Sequence, residues 1–421
     1  MAFLSLLRSI RRYLKPRPAG QAGPGDAGQE SAPSRKRRVG GATGRGAKKR
    51  ARTDLDEEIG CGGEESEFDA RVLFSVLEKL EPAMKLIHLD RFPDSLKALV
   101  QTACEVPALA VEVCPNSGIY NRLTEFCSKI LLQVLRPEHG EEANTAAEVL
   151  KSLSLMILQL KSPVRTFAIE FVTIRMGNAA NRSEGVKKAM VNLPKYLVLK
   201  APEKSEPRAL AVESIMEIVR RMEFGDQIGF VEHVLKMSQG KSNLRLLATD
   251  LIPMLAMSLK DPLGLDSEND VKDSWGMKCL EALIQRCSDS VAGIRARALS
   301  NLSQIVGFLF GGRRSQDVLK EFMGIGNGDE GFVNVLLRKR CTDEKAVVRK
   351  SALLLVAKLT GLFGSGFHGG LLKTMGMACS DPLVSIRKAA VQALSEVYLL
   401  FNYSLLVTIS SLVSFLVMIF Q

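Results

Sequence analysis

The chain has 421 residues, 46% apolar and 24% charged, with 6% aromatic residues, a single Trp275 and a net charge of +11. That length is long for one compact core, unless each unit of a repeat array buries its face against the next. Eight cysteines without a C-x-x-C pair and four well-separated histidines exclude a disulfide framework or a zinc ligand set and point to reduced, buried thiols.

Residues 1–69 read as a disordered tail, rich in Pro, Gly, Ala, Ser and charge and too poor in apolar residues to offset ordering entropy. The basicity is concentrated there. Residues 1–53 carry 14 Lys/Arg against 2 Asp/Glu, and 54–69 carry eight acidic residues and no basic one. Two clusters, Arg35-Lys36-Arg37-Arg38 and Lys48-Lys49-Arg50 with Arg52, stand nine residues apart. An extended basic peptide of that spacing fits a bipartite nuclear-import signal, read by an import receptor; a solvated charge run is the plain alternative. The basic stretch 1–17 also has the composition of an organelle-targeting peptide, a reading the stronger clusters behind it disfavour.

Residues 70–400 predict an all-α fold: a HEAT/armadillo-like α-solenoid of antiparallel helix pairs, with helix after helix broken by short turns and no alternation long enough for a sheet. Three segments align without gaps. Each opens on a turn, Cys287-Ser288-Asp289, Cys341-Thr342-Asp343 or Cys379-Ser380-Asp381. In each, Arg follows Asp by six (Arg295, Arg349, Arg387), Ala follows Arg by three, and an aliphatic residue follows Arg by seven. Without the Asp, the pattern recurs at Arg165, Arg208 and Arg245. The six arginines lie 43, 37, 50, 54 and 38 residues apart, near the roughly 40–47 of helical-pair repeats. Ile386, Ala389, Ala390, Ala393 and Leu394 form one helical face, and alanine permits close approach of the next helix. Asp381 before Pro382 suggests an N-cap followed by the first helical residue. The repeat arginine has the reach to bond a neighbouring turn's Asp, so Asp289, Arg295, Asp343, Arg349, Asp381 and Arg387 are expected to form a structural ladder.

Residues 278–286, 331–340 and 370–378 suit the first helices of these pairs, and the Gly-rich stretches 324–331 and 361–370 suit loops. Ser162-Pro163-Val164-Arg165 has the form of a proline-directed kinase site and also of a helix start, the reading preferred. Segment 398–420 is long and apolar enough to span a bilayer. A membrane anchor, a further buried helix and a departure from the true reading frame all fit 401–421. The abrupt change and the lack of a polar capping repeat favour the last.

No catalytic constellation is present in the pattern, and no enzyme activity, cofactor or small-molecule substrate is expected. Gly324-Ile325-Gly326-Asn327-Gly328 follows no strand and lacks a downstream Gly-Lys-Ser/Thr, so it reads as a loop. Between residues 287 and 396 the chain has 15 basic and 9 acidic residues. Arg297, Arg313, Arg314, Arg338, Lys339, Arg340, Lys350 and Lys388 are candidates for a stripe contacting DNA phosphates, with a solvated face as the alternative.

The three Cys-Ser/Thr-Asp turns, through Lys388-Ala389-Ala390, resemble the HEAT-repeat subunits of chromosome-organising complexes, nearest the CAP-D-type subunit of condensin II. Residues 275–397 carry most of the resemblance. It implies a non-catalytic scaffold in mitotic chromosome condensation, located in the nucleus and on chromosomes, that binds kleisin and SMC subunits and DNA or chromatin. Members of that family are far longer, so the chain corresponds to an N-terminal fragment. The pattern also fits an importin-like or coat-adaptor scaffold, or a membrane-anchored adaptor through 398–420.

Overall fold

The computed structural model describes residues 70–113, 117–266, 271–325, 331–363 and 370–401. Among them the fold is helical, with no strand. The tail clusters at 35–52 and the apolar segment 402–421 lie outside the described residues, and no described helix is long and apolar enough to cross a membrane.

The chain opens with α1 (Ala70–Met84), α2 (Pro93–Val113), α3 (Ser117–Val134) and α4 (Glu142–Ile157). Then α5 (Pro163–Glu170) runs through a π-helical segment (Phe171–Met176) into the short α6 (Gly177–Ala180). Ser162 caps α5: its Oγ accepts the Arg165 N–H at 3.2 Å, and Pro163 takes the first helical position, where its missing N–H costs nothing.

Helix pairs follow: α7 (Glu184–Lys200) with α8 (Ser205–Val219), α9 (Phe224–Met237) with α10 (Ser242–Ser258), and α11 (Trp275–Arg286) with α12 (Ala292–Leu309). After α13 (Arg313–Met323) come α14 (Phe332–Cys341) with α15 (Ala346–Phe363), and α16 (Gly370–Ala378) with α17 (Val384–Phe401). The wide spacing between Arg295 and Arg349 accommodates α13, which ends at Gly324 in the left-handed conformation (φ 63°) that glycine adopts without a Cβ clash. Helix α15 runs to Phe363, into the stretch 361–370 expected as a loop, whose residues 364–369 lie outside the described residues.

The second helices α8, α10, α12, α15 and α17 stack in one row. The first helices form the other, with α4 on α7, α7 on α9, α9 on α11 and α14 on α16. The core lies between the rows. The six matched alanines (Ala168, Ala211, Ala248, Ala298, Ala352, Ala390) are all fully buried in it. A side chain no larger than a methyl at these positions lets neighbouring helices of the second row pack at the usual spacing of about 8–10 Å between axes.

Candidate functional site

The repeat arginines point along the array. Each keeps one terminal nitrogen on the carbonyls of its own turn: Arg295 Nη1 on Asp289 O at 2.8 Å, Arg349 Nη1 on Asp343 O at 2.9 Å, Arg387 Nη1 on Asp381 O at 2.8 Å. The rest of the guanidinium reaches forward. Arg245 bonds Asp289, Arg295 bonds Asp343 at 2.9 Å, and Arg349 grips Asp381 at 2.8 and 3.1 Å. Each aspartate also accepts the N–H two residues on: Val291, Lys345 or Leu383. This turn bond changes the expected cap. Asp381 holds the Leu383 N–H ahead of the helix, and α17 starts only at Val384. Arg387 makes the local bonds, and among the described residues no carboxylate answers it.

Burial alone would raise the carboxyls of Asp289, Asp343 and Asp381. The arginine hydrogen bonds, the backbone N–H and the neighbouring positive charges outweigh it and hold all three below the usual carboxylate range. In Asp289 and Asp343 part of that charge comes from a second cation three residues upstream, Arg286 at 3.1 Å and Arg340 at 2.7 Å. Asp381 has Ala378 at that offset.

The tie persists in the repeats without a turn Asp, because the acceptor moves onto the neighbouring second helix. Arg208 Nε bonds Asp250 at 2.8 Å, inside α10, and Arg165 bonds Ser214 Oγ at 2.9 Å and Glu213 at 3.3 Å, inside α8. Asp250 accepts a second arginine, Arg297 of α12, at 2.5 Å. Sequence reasoning missed Asp250 and Arg286 and assigned Arg340 to the surface. The Arg–x–x–Asp spacing in two of the turns was the available signal for the last two.

The eight candidate phosphate contacts differ in how far they are free to meet a ligand. Arg340 is buried with its guanidinium on Asp343, which removes it from any surface and corrects the expectation. Arg297 is engaged on Asp250, and Arg314 Nη1 donates to Leu265 O at 2.9 Å. Arg338 is half-buried, whereas Arg313, Lys339, Lys350 and Lys388 are exposed. Among the described residues no His/Cys/Asp/Glu group has the arrangement of a metal site. The described cysteines are free and buried.

No family model matches the chain. It is 53% identical over 405 residues to the condensin-2 complex subunit CAP-D3 of Arabidopsis thaliana, across 94% of this chain. It is 24% identical over 339 residues to condensin-2 complex subunit D3-L of Xenopus laevis (64% of this chain), and 22% identical over 350 residues to condensin-2 complex subunit D3 of Mus musculus (68% of this chain). The chain spans 30%, 22% and 23% of the lengths of these relatives.

Proposed function

We propose that this chain, a stretch of the condensin-2 D3 (CAP-D3) subunit family, is a non-catalytic scaffold segment of a condensin-type complex acting in chromosome condensation. The observation that carries this reading is the 53% identity to a condensin-2 subunit across 94% of the chain. The two-row solenoid supports it physically. A fold whose units contact only their neighbours presents long faces for extended partners and needs no closed active site.

In finer terms, the solenoid holds a kleisin subunit and, through it, the SMC ATPase pair. Exposed Lys339, Lys350 and Lys388 give a sequence-independent attraction to DNA phosphates. Residues 35–52 address the chain to the nucleus through an import receptor, and the complex acts on mitotic chromosomes. Affinity purification of the chain from dividing cells, read by mass spectrometry, tests the assignment. Recovery of a kleisin and SMC ATPases is expected; recovery of coat or transport proteins alone overturns it. Deleting residues 35–52 is expected to move the chain out of the nucleus.

A further inference from the structure

A groove of about 520 Å³ runs along the edge where first helices turn into second helices, crossing the starts of α8, α10 and α12. Its floor is apolar, from Leu199, Pro202, Leu246 and Val291. Leu199 is 68% exposed and Val291 42%, and both border this one groove. The residues before the three helices, Lys204, Lys241 and Val291, make no side-chain cap. At α10 Asn243 Oδ1 accepts the Leu244 N–H and at α12 Asp289 accepts the Val291 N–H, which leaves the start of α8, with Lys204 and Lys241 beside the groove, as its positive side. Arg297 lines it as well, and Glu203 is the one carboxylate among its lining residues.

Residues 54–69 match this surface. They carry eight carboxylates and no cation, interspersed with Leu55, Ile59 and Phe68. They end at Asp69, next to Ala70, where α1 begins. Helix α1 packs on α3, in the row of second helices, so its N-terminus opens on the same edge as the groove. The turn after α1 (Leu89–Arg91) lies against the turn after α3 (Pro137–His139) on the opposite edge, which fixes this direction. Three stacking steps separate α1 from α8 and five separate it from α12, about 30 and 50 Å at roughly 10 Å a step. Sixteen extended residues reach at most about 55 Å.

We propose that the far half of this segment, residues 54–60, docks in this groove of its own chain as an acidic strap, with residues 61–69 as its tether. Leu55 and Ile59 cover Leu199 and Val291, and Asp54, Asp56, Glu57 and Glu58 lie along the helix starts. The tether holds the strap at an effective concentration on the order of millimolar, so a weak contact suffices. Any acidic partner using this edge must displace it.

The test uses the full chain with the eight acidic residues of 54–69 changed to Asn or Gln. Amide exchange at Ser205–Glu206, Ser242–Asn243 and Ala292–Gly293 is expected to be about tenfold faster than in the natural chain. A fluorescent peptide of residues 54–69 is expected to bind the neutralised chain, about tenfold more weakly after Leu199→Glu or Gly293→Trp. A Cβ at Gly293 meets nothing within 4 Å, so the backbone there accepts a side chain directed at the groove, and the thermal melt of each variant shows that it is folded before binding is read. Unchanged exchange and no peptide binding overturn the proposal. Protection that rises with protein concentration also overturns it, by assigning the groove to the strap of a second copy.

Discussion

Two N–H···O bonds of 2.7 and 2.9 Å join Arg245 to Asp289, whose side chain is 1% exposed. Replacing Asp289 with Ala strands Arg245 and Arg286 in a water-poor turn and leaves the Val291 N–H without its acceptor. Removing one partner of such a buried pair costs about 3–5 kcal/mol. Disrupting the exposed pair Arg175–Glu125, at 47% and 44% side-chain exposure, costs below about 1 kcal/mol. Urea unfolding midpoints of Asp289→Ala and Glu125→Ala check the contrast.

The ladder also sets an acid limit. The folded-state carboxyls of Asp289, Asp343 and Asp381 titrate below their unfolded value near 4. Their stabilisation is therefore fully present above about pH 4 and is lost as pH falls through the lowered folded values. Tm measured against pH should decline gently below about 6.5, because burial lowers the imidazoles of His139 and His233, and more steeply below about 4 as the ladder carboxyls protonate. The triple Asn variant should start lower and show a shallower decline.

Burial pushes the thiols of Cys279, Cys287 and Cys341 up to about 12, and raises those of Cys104, Cys127 and Cys379 as well. At pH 8 none has appreciable thiolate. In a Cys61→Ser, Cys114→Ser background, a thiol reagent such as DTNB should label the six only on unfolding. Stoichiometric labelling of the native chain would contradict the burial.

Two glycines at equivalent places in α11 and α12 should respond in opposite ways. A Cβ at Gly276 collides with the carbonyl of Pro262, which accepts the Gly276 N–H at 2.9 Å. Gly276→Ala should lower stability by about 1–3 kcal/mol. Gly293 faces open space, and Gly293→Ala should raise stability by up to about 1 kcal/mol. Thermal denaturation of the two variants separates them.

The exposed lysines and the buried arginine should separate in the same way. Lys350→Gln and Lys388→Gln should leave stability within about 0.5 kcal/mol and each reduce the slope of log DNA affinity against log salt by about 0.9. Arg340→Gln should destabilise by about 3 kcal/mol, because Asp343 loses a buried partner. Equal loss of stability in all three variants would refute this division.

The repeats were legible because Asp, Arg and Ala recur at fixed offsets, and the helix pairs follow from that register. Ala298, Ala352 and Ala390 could be read as packing positions, since no other role suits an unvarying small residue on an apolar face. What the pattern could not give was the neighbour's side of each bond. Arg208 has no Asp in its own turn, and its acceptor sits 42 residues on, in the middle of a helix where aspartate has no local signature. Arg340 looked like surface charge in the run 338–340 for the same reason. Its burial depends on where α14 meets the Asp343 turn, a tertiary fact. A run of basic residues at a helix end includes inward and outward positions alike, and charge alone does not separate them.

Asp250 bears on the groove in another way. One carboxylate receives Arg208 of α8 and Arg297 of α12 while belonging to α10. Three consecutive struts are thereby triangulated from a single buried point. The spacing of those helix starts is set before any peptide arrives, so whatever lies across them meets a surface of fixed gauge, with little of its binding energy spent on shaping the wall.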